Sequence, residues 1–121
     1  GEVVHVAVDG GMGDNLEVAL YDQRFEAGVV GRFDGADDMC DVVGRHCESG
    51  DIVVLDEYLP ADVRPGDLIA VPGTGAYCRA LSSQYNHTPR PPVVAVRGGR
   101  SRVLVRRETI DDLLALDVAD A

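Results

Sequence analysis

The sequence contains no lysine and no tryptophan, and aromatic residues make up only 5% of it. Without lysine, the glycine-rich stretch DGGMGDN (9–15) cannot be a P-loop, and its spacing is not that of a Rossmann loop. No apolar run approaches the length of a transmembrane helix. With hydrophobic residues at 45%, a packed core built from branched aliphatic side chains is expected.

Positive charge is also scarce. The sequence has eleven arginines and 21 acidic residues, which gives a net charge of −10. This charge argues against nucleic-acid partners and against binding to an anionic membrane surface. The three cysteines, Cys40, Cys47 and Cys78, have spacings that match neither a zinc knuckle nor a redox pair. Such sparse, odd-numbered thiols indicate a reducing, cytoplasmic environment. We see no signal peptide, and the immediate start in strand-like sequence suggests a cut within a longer protein or a cleaved tag.

The 121 residues are the size of one domain, and most segments have the pattern of short strands. Turn signals separate them, including Arg64-Pro65-Gly66-Asp67, Gly98-Gly99 and the SGD at 49–51. The spacing predicts a mainly β fold, an antiparallel Greek-key sandwich or barrel, with a short helix and a C-terminal helix. The predicted strands are 4–8, 18–21, 25–33, 40–46, 51–59, 67–72, 92–97 and 101–107, the predicted helices are 76–86 and 109–117, and 34–41 is predicted to be an acidic, solvated loop.

The stretch HCESGD (46–51) concentrates reactive residue types. Neighbours in an extended strand point to opposite faces, so at most two of these side chains could share a metal ion, and a Cys–His nucleophile is equally disfavoured. Composition alone favours a buried structural cysteine followed by a polar turn. The functional alternative is a Cys47–Glu48 pair on a strand-end loop, where a thiol moves a proton and a carboxylate holds an ammonium group.

Two other stretches have weaker signals. PGTGAYC (72–78) is a glycine-rich loop before a possible helix, which could cradle an anion, although Tyr77 is more typical of packing. Tyr21, at the end of ALY (19–21), is by default a core or interface tyrosine.

Together, the order of VDGGMGDN, ALY, VVGRHCESGD, RPGDLIAVPGTGAYC and SSQYN resembles the C-terminal domain of diaminopimelate decarboxylases. The resemblance covers essentially the whole chain and implies a pyridoxal-phosphate (PLP) enzyme with an alanine-racemase-like fold. In that family, a (β/α)8 barrel carries the Schiff-base lysine and most phosphate-binding loops. The resemblance therefore implies that a barrel precedes Gly1. It explains why this chain has no lysine, and it implies that the isolated domain has no activity.

The resemblance also assigns roles. Family members form head-to-tail homodimers, in which this loop reaches the partner subunit's site. Cys47 would then be the acid that protonates the carbanion left by CO2, and Glu48 would bind the distal amino group of the substrate. Tyr77 would lie beside the cofactor and its phosphate, and Tyr21 would touch the distal carboxylate. The implied reaction converts meso-2,6-diaminopimelate to L-lysine and CO2.

One position departs from the family pattern. Family members have an arginine that grips the distal carboxylate where DNLEVALY has Glu17. A carboxylate cannot form that bidentate clamp, so either another arginine, Arg24 or Arg79, replaces it or the substrate is another diamino acid or derivative. Simple drift is the bland alternative, and a non-catalytic β-barrel binding module is the alternative from a different class. Without the family's N-terminal strand, we also expect a bare sheet edge, exposed apolar surface and self-association of the chain.

Overall fold

The computed structural model describes residues 2–32, 34–35 and 37–118. Its strands are β1 Val4–Ala7, β2 Gly28–Val29, β3 Asp37–Val43, β4 Ile52–Pro60, β5 Ile69–Ala70, β6 Val93–Arg97 and β7 Arg100–Val105. Its helices are α1 Glu17–Tyr21, α2 Cys78–Leu81 and α3 Ile110–Leu114, with a 3₁₀ turn at Tyr85–His87. The prediction of a mainly β fold with short helices is confirmed.

The chain divides into two compact units, residues 1–82 and 83–121. In the first unit, β1, β3 and β4 form a sheet in the order β1-β3-β4, and β2 pairs with β5. β3 and β4 are antiparallel with irregular register near Val42, whereas β1 runs parallel to β3 with Val4 opposite Cys40. This parallel pair departs from the expected antiparallel arrangement, because β1 and β3 are joined by a long crossover that contains α1.

The core of the first unit is built largely on β3 and β4. Its buried residues are Val29, Cys40, Val42, Val54 and Leu59, with Val6, Val8, Phe25, Ala27, Val53, Val63, Ile69 and Val71 packed around them. As the low aromatic content predicted, branched aliphatics supply most of this core. Val6 on β1 and Val8 directly after it both pack against this core, as the alternation of side chains in an extended segment predicts.

The second unit is built on the β6–β7 hairpin. Its register pairs Arg97 with Arg100, and Gly98 and Gly99 both have positive φ, as a two-residue hairpin turn requires. After the hairpin, Thr109 caps α3: Asp112 N–H donates to its hydroxyl, and Asp112 accepts from the Thr109 amide at 2.7 Å. The hairpin turn and the capped C-terminal helix are therefore confirmed.

Several element boundaries were predicted wrongly. Residues 18–21 lie in α1, because the Asn15 side chain accepts the Glu17 amide at 3.2 Å and alanine and leucine favour the helix. The acidic stretch 34–41 is not all loop, since β3 begins at Asp37 and pairs with β4. β3 in turn ends at Val43, before the predicted end at 46. Of the strand predicted at 25–33, only Gly28–Val29 pairs, and position 33 lies outside the described residues.

The remaining predicted segments are shorter in the structure. The predicted strand 67–72 is reduced to Ile69–Ala70, and the predicted helix 76–86 to Cys78–Leu81 and the 3₁₀ turn. Turns at 64–67 and 48–51 are confirmed by the Asp67 amide bonding to Arg64 O at 3.1 Å and the Asp51 amide bonding to Glu48 O at 2.9 Å. Within the described part of the chain, no helix has the length and apolarity needed to cross a membrane.

Candidate functional site

The loop that joins β3 to β4, residues 44–51, carries Cys47 and Glu48. It closes on itself where the Gly44 amide donates to Asp51 O and the Asp51 amide donates to Glu48 O, both at 2.9 Å. Cys47 and Glu48 are exposed between these closures, and Cys47 has a φ of +54°. Such a conformation costs a non-glycine residue on the order of 1–3 kcal/mol and persists only where the surroundings impose it. The composition-based expectation of a buried Cys47 is therefore wrong.

The carboxylate of Asp51 holds the loop in place. Its Oδ2 accepts the His46 amide at 2.6 Å and lies 3.1 Å from His46 Nδ1. Its Oδ1 accepts the Met12 amide, from the glycine-rich loop 9–15, at 2.6 Å. Asp51 is 4% exposed and His46 is 1% exposed, so these bonds form away from water. One buried carboxylate thus joins two segments that lie 39 residues apart.

Two glycines make room for this pair. A Cβ on Gly11 would lie 2.6 Å from Asp51 Oδ1 and would overlap the His46 ring. A Cβ on Gly44 would lie 2.6 Å from Asp51 Cγ. Real Cβ atoms do not approach other atoms so closely, so glycine is required at both positions by close approach.

Asn15 joins the glycine-rich loop to α1 and α2. Its Oδ1 accepts the Glu17 amide at 3.2 Å and the Cys78 thiol at 3.4 Å. Asn15 is 7% exposed, and its Nδ2 has no hydrogen-bond partner among the residues that the structure describes. Through Asn15 and Asp51, the stretches DGGMGDN, HCESGD and GAYC meet in one arrangement.

The two candidate tyrosines are exposed. Tyr21 ends α1 and is 64% exposed, and Tyr77 precedes α2 and is 74% exposed with a φ of +62°. Of the default expectations, a core position for Tyr21 is wrong and an interface position stays a prediction, while Tyr77 does not pack within the part of the chain that the structure describes. Both phenols are instead available to a ligand or to another part of a larger protein.

The three cysteines differ in environment. Burial raises the pKa of the Cys40 and Cys78 thiols, and neighbouring carboxylates add to the effect, including Glu17 beside Cys78. Both thiols are therefore kept protonated and enclosed. Cys47 is exposed, so it is the accessible thiol of the three.

Glu17 is half-buried in the first turn of α1. Its influence on the Cys78 thiol places its negative charge close to the GAYC stretch. Arg24, one proposed substitute for the family's arginine, has its Nη1 3.1 Å from Asp56 Oδ2 in an exposed ion pair. The other, Arg79, lies in α2 two residues after Tyr77.

The sequence pattern pointed to Cys47, Glu48, Tyr21 and Tyr77, and the structure leaves all four exposed. It did not single out Asp51, His46 and Asn15 as the residues that connect the loops. The available signal was the glycine at 11 and at 44, positions where an approaching buried side chain excludes a Cβ. Among the described residues, no three His, Cys, Asp or Glu side chains converge as metal ligands would.

Comparison with known proteins identifies the family of this chain. A family model described as the C-terminal sheet domain of pyridoxal-dependent decarboxylases matches residues 1–75. The chain therefore belongs to the pyridoxal-dependent decarboxylase family, as a C-terminal sheet domain.

Within this family, the chain is similar to diaminopimelate decarboxylases. The chain is 54% identical to diaminopimelate decarboxylase of Mycobacterium tuberculosis over 115 residues, 94% of this chain and 26% of that protein. It is 58% identical to the same enzyme of Actinosynnema pretiosum subsp. auranticum, covering 95% of this chain and 26% of that protein. The crystal structure of diaminopimelate decarboxylase from Helicobacter pylori complexed with L-lysine superposes with a TM-score of 0.84 at 38% identity, covering 93% of this chain and 27% of that one. The chain thus spans about a quarter of the length of these relatives.

Proposed function

We propose that this chain is the C-terminal, substrate-facing domain of a PLP-dependent decarboxylase that converts meso-2,6-diaminopimelate to L-lysine and CO2. The observation that carries the proposal is the exposed Cys47–Glu48 pair, held on a loop by buried bonds, in a chain 54% identical to such an enzyme. Three free cysteines support a cytoplasmic setting.

The residues of this chain fit a peripheral role toward the cofactor. The chain has no lysine, so it supplies no amine for a covalent link to PLP. The exposed Tyr77, which follows the glycine-rich loop at 72–76, can contact the cofactor and its phosphate through its ring and hydroxyl. PLP, when bound, supplies the electron sink for loss of CO2. We assign the Schiff-base lysine and most phosphate contacts to an N-terminal barrel domain.

Each remaining site residue has a task suited to its chemistry. The Cys47 thiol donates a proton to the carbon that loses CO2. It does so in the active site of the second subunit of a head-to-tail homodimer. The Glu48 carboxylate accepts hydrogen bonds from the distal ammonium group. The Tyr21 hydroxyl donates to the distal carboxylate.

Glu17 favours a second candidate substrate. Its half-buried carboxylate occupies the place where the family has an arginine, and Arg24 is already paired with Asp56. A negative charge there repels a distal carboxylate and attracts a distal cation. A diamino acid without the second carboxylate is therefore the alternative substrate. Membership of the decarboxylase family argues against the non-catalytic binding module.

The test is CO2 release by the full-length protein with PLP, with meso-diaminopimelate, ornithine, arginine and lysine compared at equal concentration. We expect a preference for meso-diaminopimelate, and a loss of about 100-fold or more in Cys47→Ala, the usual range for removal of a general acid. The 121-residue chain with PLP should release none and should show no lysine-type Schiff-base absorbance. A preference for ornithine, arginine or lysine would establish the second candidate, and no release from any of the four would refute both.

A further inference from the structure

The buried pair His46–Asp51 lies next to the proposed proton donor but touches no substrate in the proposed mechanism. We infer that Asp51 and His46 are positioning residues, which fix Cys47 and Glu48 in their working geometry. The inference rests on the proposed function and adds to it two residues that act through the loop. Its basis is the placement of the pair's contacts on both sides of the two site residues.

The contacts bracket Cys47 and Glu48. On the N-terminal side, the amide and the ring of His46 both bond to Asp51 Oδ2, at 2.6 and 3.1 Å. On the C-terminal side, the Asp51 amide donates to Glu48 O at 2.9 Å. Because both Asp51 oxygens already accept main-chain amides, we assign the hydrogen of this bond to His46 Nδ1. The two site residues therefore lie within a ring of hydrogen bonds closed by one carboxylate.

A second anchor connects this ring to the sheet. Asp51 Oδ1 accepts the Met12 amide at 2.6 Å, and the Arg45 amide donates to Gly10 O at 3.2 Å. The glycine-rich loop that supplies these partners directly follows β1, which pairs with β3. The loop is thus positioned against the sheet as well as against itself.

The backbone conformation of Cys47 is one that the hydrogen bonds of Asp51 and His46 have to maintain. With a φ of +54°, Cys47 has a backbone that relaxes to negative φ when nothing holds it. Relaxation would change the direction of its Cα–Cβ bond and would move the thiol away from its target. A displacement of about 1 Å of a catalytic group can cost about 100-fold in rate.

The decisive experiment is a double-mutant cycle in the full-length enzyme. Asp51→Asn keeps the size of the side chain but replaces one acceptor oxygen by a donor amide, which faces N–H groups. We expect it to lower kcat about 10- to 100-fold in the wild-type background and by a clearly smaller factor, below about fivefold, in Cys47→Ala, where only the position of Glu48 still matters. Equal factors in both backgrounds would mean that Asp51 acts on stability alone, and would overturn the inference.

His46 provides a conservative pair of variants that does not depend on Asp51→Asn folding. His46→Asn places an amide N–H near the position of Nδ1–H, whereas His46→Leu fills space without a donor. We expect kcat within about threefold of wild type for the former and a loss comparable to Asp51→Asn for the latter. Equal losses in the two variants would contradict a positioning role for the ring.

Asp67→Asn is the matched control. Asp67 also holds a turn with its carboxylate, accepting the Arg64 amide and Arg32 Nη1, each at 3.0 Å. It lies in a different turn, and neither of these two partners belongs to the loop 44–51. We expect kcat within about twofold of wild type, so a comparable loss here would show that any such carboxylate gives the effect and would overturn the inference.

Hydrogen exchange gives a readout independent of catalysis. In Asp51→Asn, peptides covering 9–15 and 44–51 should lose protection while the β3–β4 core keeps it. If the wild-type enzyme releases no CO2, the proposed function fails, and this local loss still decides whether the pair holds the loop. Unchanged exchange in both peptides would overturn the inference even in an active enzyme.

Discussion

At the scale of single residues, Glu17 combines a local advantage with a functional cost. A carboxylate in the first turn of a helix interacts favourably with the unpaired amides there, and an arginine does not. The same charge raises the pKa of the Cys78 thiol beyond the effect of burial. In the proposed enzyme, it also stands where the family clamps a carboxylate with arginine.

A charge series at position 17 separates these effects. Going from Glu17 to Gln and then to Arg, we expect KM for meso-diaminopimelate to fall stepwise, by about tenfold overall, because repulsion is replaced by a bidentate bond. Ornithine should show the opposite trend. Steady-state kinetics of the three full-length proteins measure both. An unchanged ranking of the two substrates would show that the residue has no part in specificity.

The sequence was informative about some residues and not about others. The family resemblance singled out Cys47, Glu48, Tyr21 and Tyr77, and all four are exposed, while their roles stay predictions. Asp51 was grouped with the loop's polar residues, because burial by a segment 39 residues away has no local pattern. The left-handed Cys47 is likewise imposed by tertiary contacts and not by its own preference.

At the scale of elements, α3 depends on one acidic side chain. Asp112 accepts Arg106 through both carboxylate oxygens at 2.6 Å, and accepts the Thr109 amide at 2.7 Å. The hydrogen bond to Arg106 is the largest cause that holds the pKa of Asp112 well below its usual range. Nearby, the Arg90 amide bond to Glu108 is the main cause that lowers the pKa of Glu108.

These shifts predict an acid-dependent loss of stability. Carboxyls with lowered folded pKa values stabilise the fold above their unfolded values, and this contribution is lost as pH falls below 4.5 for Glu108 and 3.8 for Asp112. Asp14 has the opposite effect on stability. Burial raises its pKa in the folded state, so protonation of Asp14 at low pH stabilises the folded protein.

Thermal unfolding of the chain followed by circular dichroism tests this. Arg106→Gln should lower Tm by about 2–5 °C at pH 6 and by a smaller amount at pH 3, where the unfolded chain already binds a proton at Asp112 and folding has to release it. Arg100→Gln, at the hairpin end, is the control and should show no such pH dependence. Equal Tm differences for Arg106→Gln at both pH values would contradict the assignment.

Elements with strong local chemistry were the predictable ones. The Gly98-Gly99 turn and the Thr109 cap fix their own geometry, and both were found where the sequence placed them. The strand predicted at 18–21 is wrong and that predicted at 25–33 is reduced to Gly28–Val29, because the apolar residues there are compatible with helix or irregular structure. In the first case the helix is favoured by the Asn15 side chain, which lies outside the apolar run and accepts the Glu17 amide.

At the scale of the whole molecule, much apolar surface is exposed. All six residues of β7 are exposed, and Val96 on β6 is 73% exposed. A two-stranded hairpin without a covered face is marginal in water. Taken with the fourfold greater length of the relatives, this surface is expected to be covered in the complete protein.

The 121-residue chain alone should therefore self-associate. We expect sedimentation velocity to show a mean mass that rises with concentration from micromolar to millimolar. Val96→Thr combined with Val103→Thr, which keeps side-chain shape but reduces apolarity, should weaken that trend, while the exposed Asp62→Asn should not. A constant monomer mass across this range would refute the expectation.

The glycine contacts of the loop 44–51 set a rule for loop exchange. Gly11 and Gly44 provide the space that His46 and Asp51 fill, and the Met12 amide completes the contact. A loop 44–51 taken from a more distant decarboxylase will clash with residues 10–12 or pack loosely against them, unless residues 10–12 are exchanged together with it. For protein engineers, the smallest exchangeable unit is therefore discontinuous, made of residues 10–12 after β1 and residues 44–51 between β3 and β4.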